Sequence, residues 1–263
     1  MDRRGRAGPT KKTIEIESGR KYSKPESTFT NQSINPPILP AFLCPPSKLT
    51  CNFEFMLKSS NLTFSYHNGA SFSFPDVFCE EKGHLLLLGE SGQGKTTLLH
   101  LLAGMLKPSA GSVGINGTDI AQLDRKAMDT FRGQHIGIVF QTAHFVESLS
   151  VEDNLILPQY LAGKTIDRNK AQQIIGRLNL TQKLHEKTRN LSVGEQQRVA
   201  IARSLMNDPA IVLADEPTSA LDDRNAEEVI SLLEEQAALS GAGLIIVTHD
   251  QRLKDRFEKR VVL

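Results

Sequence analysis

A continuously apolar strand that runs directly into a glycine-rich loop and a helix most restricts how this chain can fold. Leu85–Leu88 is apolar throughout, segment 89–94 contains three glycines, and a helix is predicted from about Lys95 to Leu106. A strand that is apolar on both faces is typical of a parallel sheet covered by helices. Similar strands, separated by helix-like segments, are predicted at Ile136–Phe140, Ile211–Ala214 and Leu244–Val247. The pattern therefore predicts an α/β fold with a mostly parallel sheet.

The glycine-rich loop has the spacing of a phosphate-binding site. It fits G-x-x-x-x-G-K-S/T without a gap and consists of Gly89, Glu90, Ser91, Gly92, Gln93, Gly94, Lys95 and Thr96. Glycines let backbone N–H groups surround phosphate oxygens, and the following helix points its positive dipole end at the same anion. The lysine suits the β- and γ-phosphates, the Thr96 hydroxyl suits Mg²⁺, and Thr97 adds a hydroxyl near the α-phosphate. The flanking strand and helix disfavour the alternative of a turn that binds nothing.

Two carboxylates follow another buried strand. Asp215 and Glu216 come directly after Ile211–Ala214. The carboxyl ends of parallel strands are where α/β sheets place their ligands, so Asp215 suits Mg²⁺ binding through water. Glu216 is then placed to act as general base on the attacking water. The alternative, two solvated residues that merely end a strand, stays open on this feature alone.

A third segment combines a helix start with an anion site. Ser192 and Glu195 form an S-x-x-E capping box ahead of a helix that runs through Leu205. One interpretation is purely structural, in which the two side chains only cap the helix. The N-terminus of a helix also attracts anions, so the same geometry is able to hold a γ-phosphate.

Together these segments resemble the ATP-binding cassette (ABC) ATPases. The run LSVGEQQRVAIARSL at 191–205 resembles the signature of that family, and the phosphate loop and the acidic strand flank it in the family's order. Val193 departs from the pattern, because the family usually has glycine there. The resemblance covers about Met56 to Leu263. It implies that a nucleotide contacts the signature and a later aspartate, through Ser192, Gly194, Glu195 and Asp222.

The resemblance also implies roles for three further side chains. Gln141, after a buried strand, resembles the glutamine that reaches Mg²⁺ and the attacking water. His249 resembles the histidine that meets the γ-phosphate, and Tyr66 stands where the family has an aromatic ring stacked on adenine. Tyr66 as a core aromatic, and His249 as an inert residue, are the alternatives.

The fold implied by the resemblance is a P-loop NTPase with a RecA-like, mostly parallel sheet core. It has an N-terminal antiparallel β subdomain and an inserted helical subdomain at about 142–205. The implied activity is ATP hydrolysis with ATP and Mg²⁺, and the implied partners are a second ATPase subunit, forming a homodimer, and an integral membrane permease. The implied location is cytoplasmic, on the inner face of the membrane. Within the family, the sequence resembles the lipoprotein-release and macrolide-export group.

Composition narrows the function classes. A net charge of +1 argues against nucleic acid as a partner, and no apolar run approaches the length of a membrane span. A soluble ABC-type ATPase that has no role in transport, acting in DNA repair or translation, remains the alternative. That class usually has a coiled-coil insertion, zinc modules or two cassettes, and this chain has none of these patterns.

Two segments carry further expectations. Residues 1–55 hold seven of the 12 prolines and show no apolar periodicity, which predicts a disordered extension. The alternative is that this segment is not part of the natural protein. The ABC ATP-binding domain is then expected at 56–263. Residues 142–160 occupy the family position for permease docking. Their apolar side chains either form that docking surface or fill the core of the helical subdomain.

Overall fold

The computed structural model describes residues 55–67, 69–219 and 221–263. The segment expected to be disordered lies outside the described residues except at its last position. Phe55 already belongs to the first strand, where it pairs with Glu80, and its ring centroid lies 5.4 Å from that of Phe78. Phe55, the last residue of the segment expected to be disordered, is therefore part of a strand. Asn68-Gly69 is a turn signal in the sequence, and Asn68 also lies outside the described residues.

The centre of the described fold is a parallel sheet in the order β10-β4-β9-β8-β7. Every neighbouring pair in it is parallel. Four of its five strands match the apolar runs predicted from the sequence to within one residue at either end, and β10 was not predicted. Their bounds are β4 His84–Leu88, β7 Ile136–Val139, β8 Ile211–Asp215, β9 Gly243–Thr248 and β10 Arg260–Val262.

An antiparallel sheet precedes this core along the chain. Its longest strand, β1, pairs with β2, β3 and β5, and β6 continues the sheet beyond β5. This arrangement confirms the antiparallel β subdomain that was expected near the N-terminus. The bounds are β1 Phe55–Ser65, β2 Ser71–Ser73, β3 Phe78–Glu80, β5 Ala110–Ile115 and β6 Thr118–Asp119.

Six α-helices join these strands in the described part of the chain. Their bounds are α1 Lys95–Leu102, α2 Arg125–His135, α3 Val151–Leu161, α4 Arg168–Arg177, α5 Val193–Ser204 and α6 Asp223–Ser240. Helix α1 is four residues shorter than predicted, because the backbone turns into the left-handed region at Gly104 (φ 61°). In the described residues, no helix has both the length and the apolarity to span a membrane.

The parallel sheet is buried on both faces, which explains its continuously apolar strands. In β4, Leu85 and Leu87 pack into one core cluster with α1 and the antiparallel sheet. Leu86 and Leu88 face the opposite cluster, which contains side chains of α3, α4, α5 and α6. Alternate side chains of a strand point to opposite faces, so a sheet covered on both sides needs apolar residues at every position.

Candidate nucleotide-binding and hydrolysis site

The strand register brings the phosphate loop, Gln141, Asp215, Glu216 and His249 to one edge of the parallel sheet, whereas Tyr66 and the signature residues lie on other elements. Leu88 pairs with Thr248, Asp215 pairs with Val247, and Val139 pairs with Ala214. The glycine-rich loop after β4, the carboxylates at the end of β8 and the residues after β7 and β9 therefore leave the sheet side by side. This edge is the carboxyl end of the strands, where parallel sheets bind ligands.

The glycine-rich loop requires glycine at two of its positions. Gly92 and Gly94 both have φ of 86°, in the left-handed region that residues with a Cβ rarely adopt. A Cβ on Gly94 would also lie 2.7 Å from the Phe72 ring. Gly94 is the N-cap of α1 and provides no side-chain cap, so the N–H groups of the first turn remain available to an anion.

The Gln93 side chain stabilises the first half of the loop. Its Oε1 accepts a hydrogen bond of 2.7 Å from the backbone N–H of Glu90. A Cβ on Gly89 would lie 2.7 Å from the same oxygen, so glycine leaves room for this contact. The side chains of Glu90 and Ser91 are exposed.

Lys95 is buried at the start of α1 and directed into the loop. Its Nζ donates a 2.9 Å hydrogen bond to the Glu90 carbonyl and lies 3.5 Å from Glu216 Oε1. Only 8% of the residue is exposed. The ammonium group is therefore held in place from both sides, close to the groups that are expected to bind phosphate.

Asp215 has the environment expected of a cation ligand. Burial raises its pKa, Glu216 adds to this effect, and a side-chain hydrogen bond with Thr96 opposes it. Its Oδ1 is buried and has no hydrogen-bond partner. An unpartnered buried carboxylate oxygen is costly, and a cation or its bound water would satisfy it.

Glu216 sits at the centre of a hydrogen-bond network. Its Oε2 accepts 2.8 Å from Thr248 Oγ1 and 3.3 Å from the backbone N–H of His249, whose Nδ1 lies 2.8 Å from Oε1. Burial acts to raise the Glu216 pKa, but the hydrogen bonds and charge of His249 and the Thr248 bond outweigh it and leave the pKa lowered. The carboxylate form is therefore stabilised.

The Glu216 backbone is strained. Its φ is 45°, and non-glycine residues seldom occupy this left-handed region. Strain of this kind persists only where the surroundings hold the residue, and it concentrates at functional sites.

Tyr66 connects the antiparallel sheet to the phosphate loop. Its hydroxyl lies 2.9 Å from Thr97 Oγ1, and its ring stands edge-on to Phe64 and Phe72. The residue is 38% exposed. A ring that is partly open to solvent and anchored beside the loop differs from a fully buried core aromatic.

Gln141 is exposed after β7 and faces the segment that follows the two carboxylates. Its Nε2 donates a 3.2 Å hydrogen bond to Ser219 Oγ. The link joins the end of β7 to the loop after β8. Gln141 is thus connected to the same edge of the sheet as Asp215.

The predicted signature forms a capping box at the start of α5. Ser192 Oγ accepts from the Glu195 N–H at 3.3 Å, and the Glu195 carboxylate accepts from the Ser192 N–H at 2.8 Å. The hydrogen bonds from Ser192 lower the pKa of the Glu195 carboxyl. Val193 is 58% exposed, and nothing lies within 4 Å of a Cβ built on Gly194. Asp222 accepts a backbone hydrogen bond from Ala226 at the start of α6.

Similarity to known proteins identifies the family of this chain. The sequence profile described as "ABC transporter" matches residues 76–219, more than half of the chain. The chain belongs to the ABC transporter family. The family predicted from the motifs is therefore confirmed, and with it the ATPase activity that these cassettes carry.

Curated relatives of this ABC cassette include proteins named for lipoprotein release and for macrolide export. This chain is 38% identical over 208 residues to the lipoprotein-releasing system ATP-binding protein LolD of Chromohalobacter salexigens. The match covers 77% of this chain and 88% of the relative. The chain is 40% identical over 189 residues to the macrolide export ATP-binding/permease protein MacB of Rhodopseudomonas palustris, covering 71% of this chain and 28% of the relative.

A solved structure confirms the fold of the cassette. The ATP-binding cassette MJ0796, in a dimeric post-hydrolysis state with ADP and Pi, matches with a TM-score of 0.72 and 31% identity. The match covers 79% of this chain and 94% of that one. The expected P-loop NTPase fold is thereby confirmed.

Two residues of this edge were not among the predicted site residues. Thr248, fully buried, bonds the Glu216 carboxylate, and Ser219 bonds Gln141. A hydroxyl directly before His249 at the end of a buried strand was the available signal for Thr248. For Ser219 the sequence offered no sign of its partner, which lies 78 positions away.

Proposed function

We propose that this ABC ATPase hydrolyses MgATP as a head-to-tail pair of identical subunits and powers the release of lipoproteins through a separate membrane permease. The edge of the sheet that holds Lys95, Asp215, Glu216 and His249 is the observation that carries the catalytic part of the proposal. Similarity to LolD over 88% of that relative's length supports the lipoprotein part. The location that follows is the cytoplasmic face of the membrane.

The phosphate loop and Tyr66 bind the nucleotide in this proposal. The N–H groups of the first turn of α1, the Lys95 ammonium and the loop segment 89–94 surround the phosphates. Thr97 contacts the α-phosphate side, and the exposed Tyr66 ring stacks on adenine.

The donor set at the end of β8 fits Mg²⁺. Hydroxyl, carboxylate and amide oxygens come from Thr96, Asp215 and Gln141, and Mg²⁺ prefers such oxygen ligands together with water and substrate phosphate. The described ranges contain no cluster of three or more His, Cys, Asp or Glu able to hold a metal. A cation held partly by ATP itself agrees with this sparse set. When bound, Mg²⁺ supplies positive charge to the β- and γ-phosphates.

Glu216 acts as the general base. Its lowered pKa keeps it ionised at neutral pH, ready to accept a proton from the water that attacks the γ-phosphate. His249, hydrogen-bonded to this carboxylate, lies beside the γ-phosphate position. Lys95 leaves its contact with Glu216 for the phosphate when the nucleotide binds.

The capping box presents an anion site to the second subunit. The α5 N-terminus combines the helix dipole with an open Gly194, so it suits the γ-phosphate on the partner copy. Ser192 and Glu195 hold this start of the helix in shape, and Asp222 contacts the partner. The exposed Val193 side chain adds an apolar contact at the same interface.

A basic groove between the sheet core and the helices suits the permease. It has a volume of about 760 Å³ and lies between α2, β7, α3 and α5. Arg125, Lys126 and Arg203 contribute positive charge, and Phe140 and Leu161 contribute apolar surface. An amphipathic permease segment with acidic side chains complements these groups.

Residues 142–160 divide between the two alternatives, since Leu157 and Pro158 line this groove while other side chains of the segment are buried. Val151 is fully buried in the core, and Glu152 is 8% exposed and pairs with Arg168 at 2.7 Å. Val151 therefore packs in the core of the helical region, and the Glu152–Arg168 ion pair links α3 to α4. Val146, in the same segment, is 43% exposed and remains available for docking.

The proposal is tested with purified cassette and with the permease that co-purifies with it. We expect Mg²⁺-dependent ATP hydrolysis, and we expect reconstituted complex to release a lipoprotein from the bilayer only with hydrolysable ATP. Release of a macrolide but not a lipoprotein would redirect the substrate assignment. Wild-type hydrolysis without a divalent cation would overturn the catalytic part.

A further inference from the structure

We propose that Thr248 is a positioning residue that fixes the Glu216 carboxylate in its hydrolytic orientation and ties it to the loop carrying His249. The inference rests on the role proposed above for Glu216 and extends it to a side chain that does not itself touch the nucleotide.

The Thr248 hydroxyl makes two hydrogen bonds of defined direction. It donates to Glu216 Oε2 at 2.8 Å and accepts from the backbone N–H of Asp250 at 3.0 Å. The accepted bond fixes the hydroxyl oxygen, and its single proton then points at the carboxylate. One hydroxyl therefore connects the end of β8 to the turn that follows β9.

The surroundings make this contact rigid. Thr248 is 0% exposed, and as the last residue of β9 it pairs with Leu88 directly before the phosphate loop. Its backbone position is thus set by the same sheet that positions the loop. Glu216, in contrast, has a strained backbone with φ of 45°, so its orientation depends on contacts made by its side chain.

The side chains of His249 and Lys95 do not hold the carboxylate throughout catalysis, and the backbone N–H of His249 makes only a longer bond of 3.3 Å to Oε2. In the proposed mechanism both of them interact with phosphate, and their contacts with Glu216 change when the nucleotide binds. The buried Thr248 hydroxyl has no expected role at the phosphate, so its bond to Oε2 is able to persist. It leaves Oε1 to receive the proton from water.

The test compares two single variants that separate the hydroxyl from the volume of the side chain. Thr248→Val keeps the shape and removes the hydroxyl, whereas Thr248→Ser keeps the hydroxyl and removes the methyl group. For Thr248→Val we expect kcat to fall by about 10- to 100-fold, the scale that a misplacement of about 1 Å costs, with KM for ATP within about threefold. Thr248→Ser should retain most of the wild-type kcat.

A double mutant distinguishes this inference from the proposed role of Glu216. In a Glu216→Gln background, Thr248→Val should cause no further loss of the residual turnover, because both changes act through one carboxylate. If Glu216→Gln abolishes turnover while Thr248→Val keeps the wild-type kcat, the positioning role is wrong and the base assignment stands. If Glu216→Gln itself retains wild-type turnover, the base assignment fails. Equal losses in Thr248→Val and Thr248→Ser would indicate a packing role and overturn the inference.

Discussion

Lys95 and Glu216 lie against each other in the cassette, with 3.5 Å between Nζ and Oε1. The proposed phosphate-binding cation and the proposed base thus partly neutralise one another while both are buried. An isolated charge in such a place would be costly, so each of the two groups offsets the cost of burying the other. A γ-phosphate that draws Lys95 away frees one oxygen of the carboxylate for catalysis.

Glu216→Gln should separate binding from hydrolysis. The amide keeps the shape but accepts no proton, so hydrolysis should fall by about 10²- to 10⁴-fold. ATP binding should persist, because Lys95 and the loop amides are unchanged, and the variant should accumulate as an ATP-bound dimer. Turnover assays and sizing chromatography with ATP measure both effects. Lys95→Ala is the matched control, since it should lose nucleotide binding itself.

Asp215→Asn should stabilise the nucleotide-free protein and abolish metal-dependent hydrolysis. Burial raises the Asp215 pKa above its ordinary value of 3.8, so the folded state disfavours the charge that the unfolded chain carries. The wild-type penalty is absent below pH 3.8, grows as the pH rises from there to the raised pKa, and is constant above it. The melting temperature of the variant should therefore exceed that of wild type by a margin that grows over this range and is fully present at neutral pH. A gain of 1 kcal/mol corresponds to about 2–4 °C.

An equal melting temperature for both proteins at neutral pH would contradict the assigned penalty at Asp215. Asn at this position keeps the side-chain volume, so packing differences do not obscure the comparison.

Two substitutions at Tyr66 should distinguish stacking from anchoring. Tyr66→Ala removes the ring and should weaken ATP binding by about 1–3 kcal/mol, or about 5- to 150-fold in Kd. Tyr66→Phe keeps the ring and removes the bond to Thr97, so most of the affinity should remain. Titration with a fluorescent ATP analogue measures both. Unchanged affinity in Tyr66→Ala would favour a purely structural aromatic.

Ser192→Ala should weaken the start of α5 and the action of the signature on the partner subunit. Loss of an N-cap costs about 0.5–2 kcal/mol, which lowers the melting temperature by a few degrees. ATP binding to a single subunit should be unaffected, whereas ATP-driven dimerisation and turnover should fall. Equilibrium unfolding and light scattering with ATP test these expectations. Dimerisation equal to wild type would place the partner contact elsewhere.

Charge reversal in the basic groove should uncouple the cassette from the permease. Arg125→Glu together with Lys126→Glu changes the exposed end of the groove and leaves the phosphate loop untouched. Basal ATPase activity of the isolated subunit should stay intact, while co-purification with the permease falls. Glu81→Lys, at an exposed residue between β3 and β4 that does not line the groove, is the control. Full permease binding by the double variant would exclude this surface.

The sequence by itself determined the features that depend on neighbouring residues. Three features were predictable in this way: the phosphate loop, the Ser192–Glu195 capping box and four strands of the central sheet. Each depends on hydrogen bonds or apolar runs among residues that are close together in the sequence. The end of α1 was predicted too late, since an apolar run does not report where Gly104 turns the backbone left-handed.

The tertiary structure decided which distant side chains meet. Tyr66 bonds Thr97, 31 positions away, and Thr248 bonds Glu216 across 32 positions. The parallel register of β4, β8 and β9 and the packing of the antiparallel sheet set these pairings. Periodicity reports that a residue is buried, not which atoms it faces. The orientation of Glu216 and the course of the basic groove therefore emerge only when the whole chain has packed.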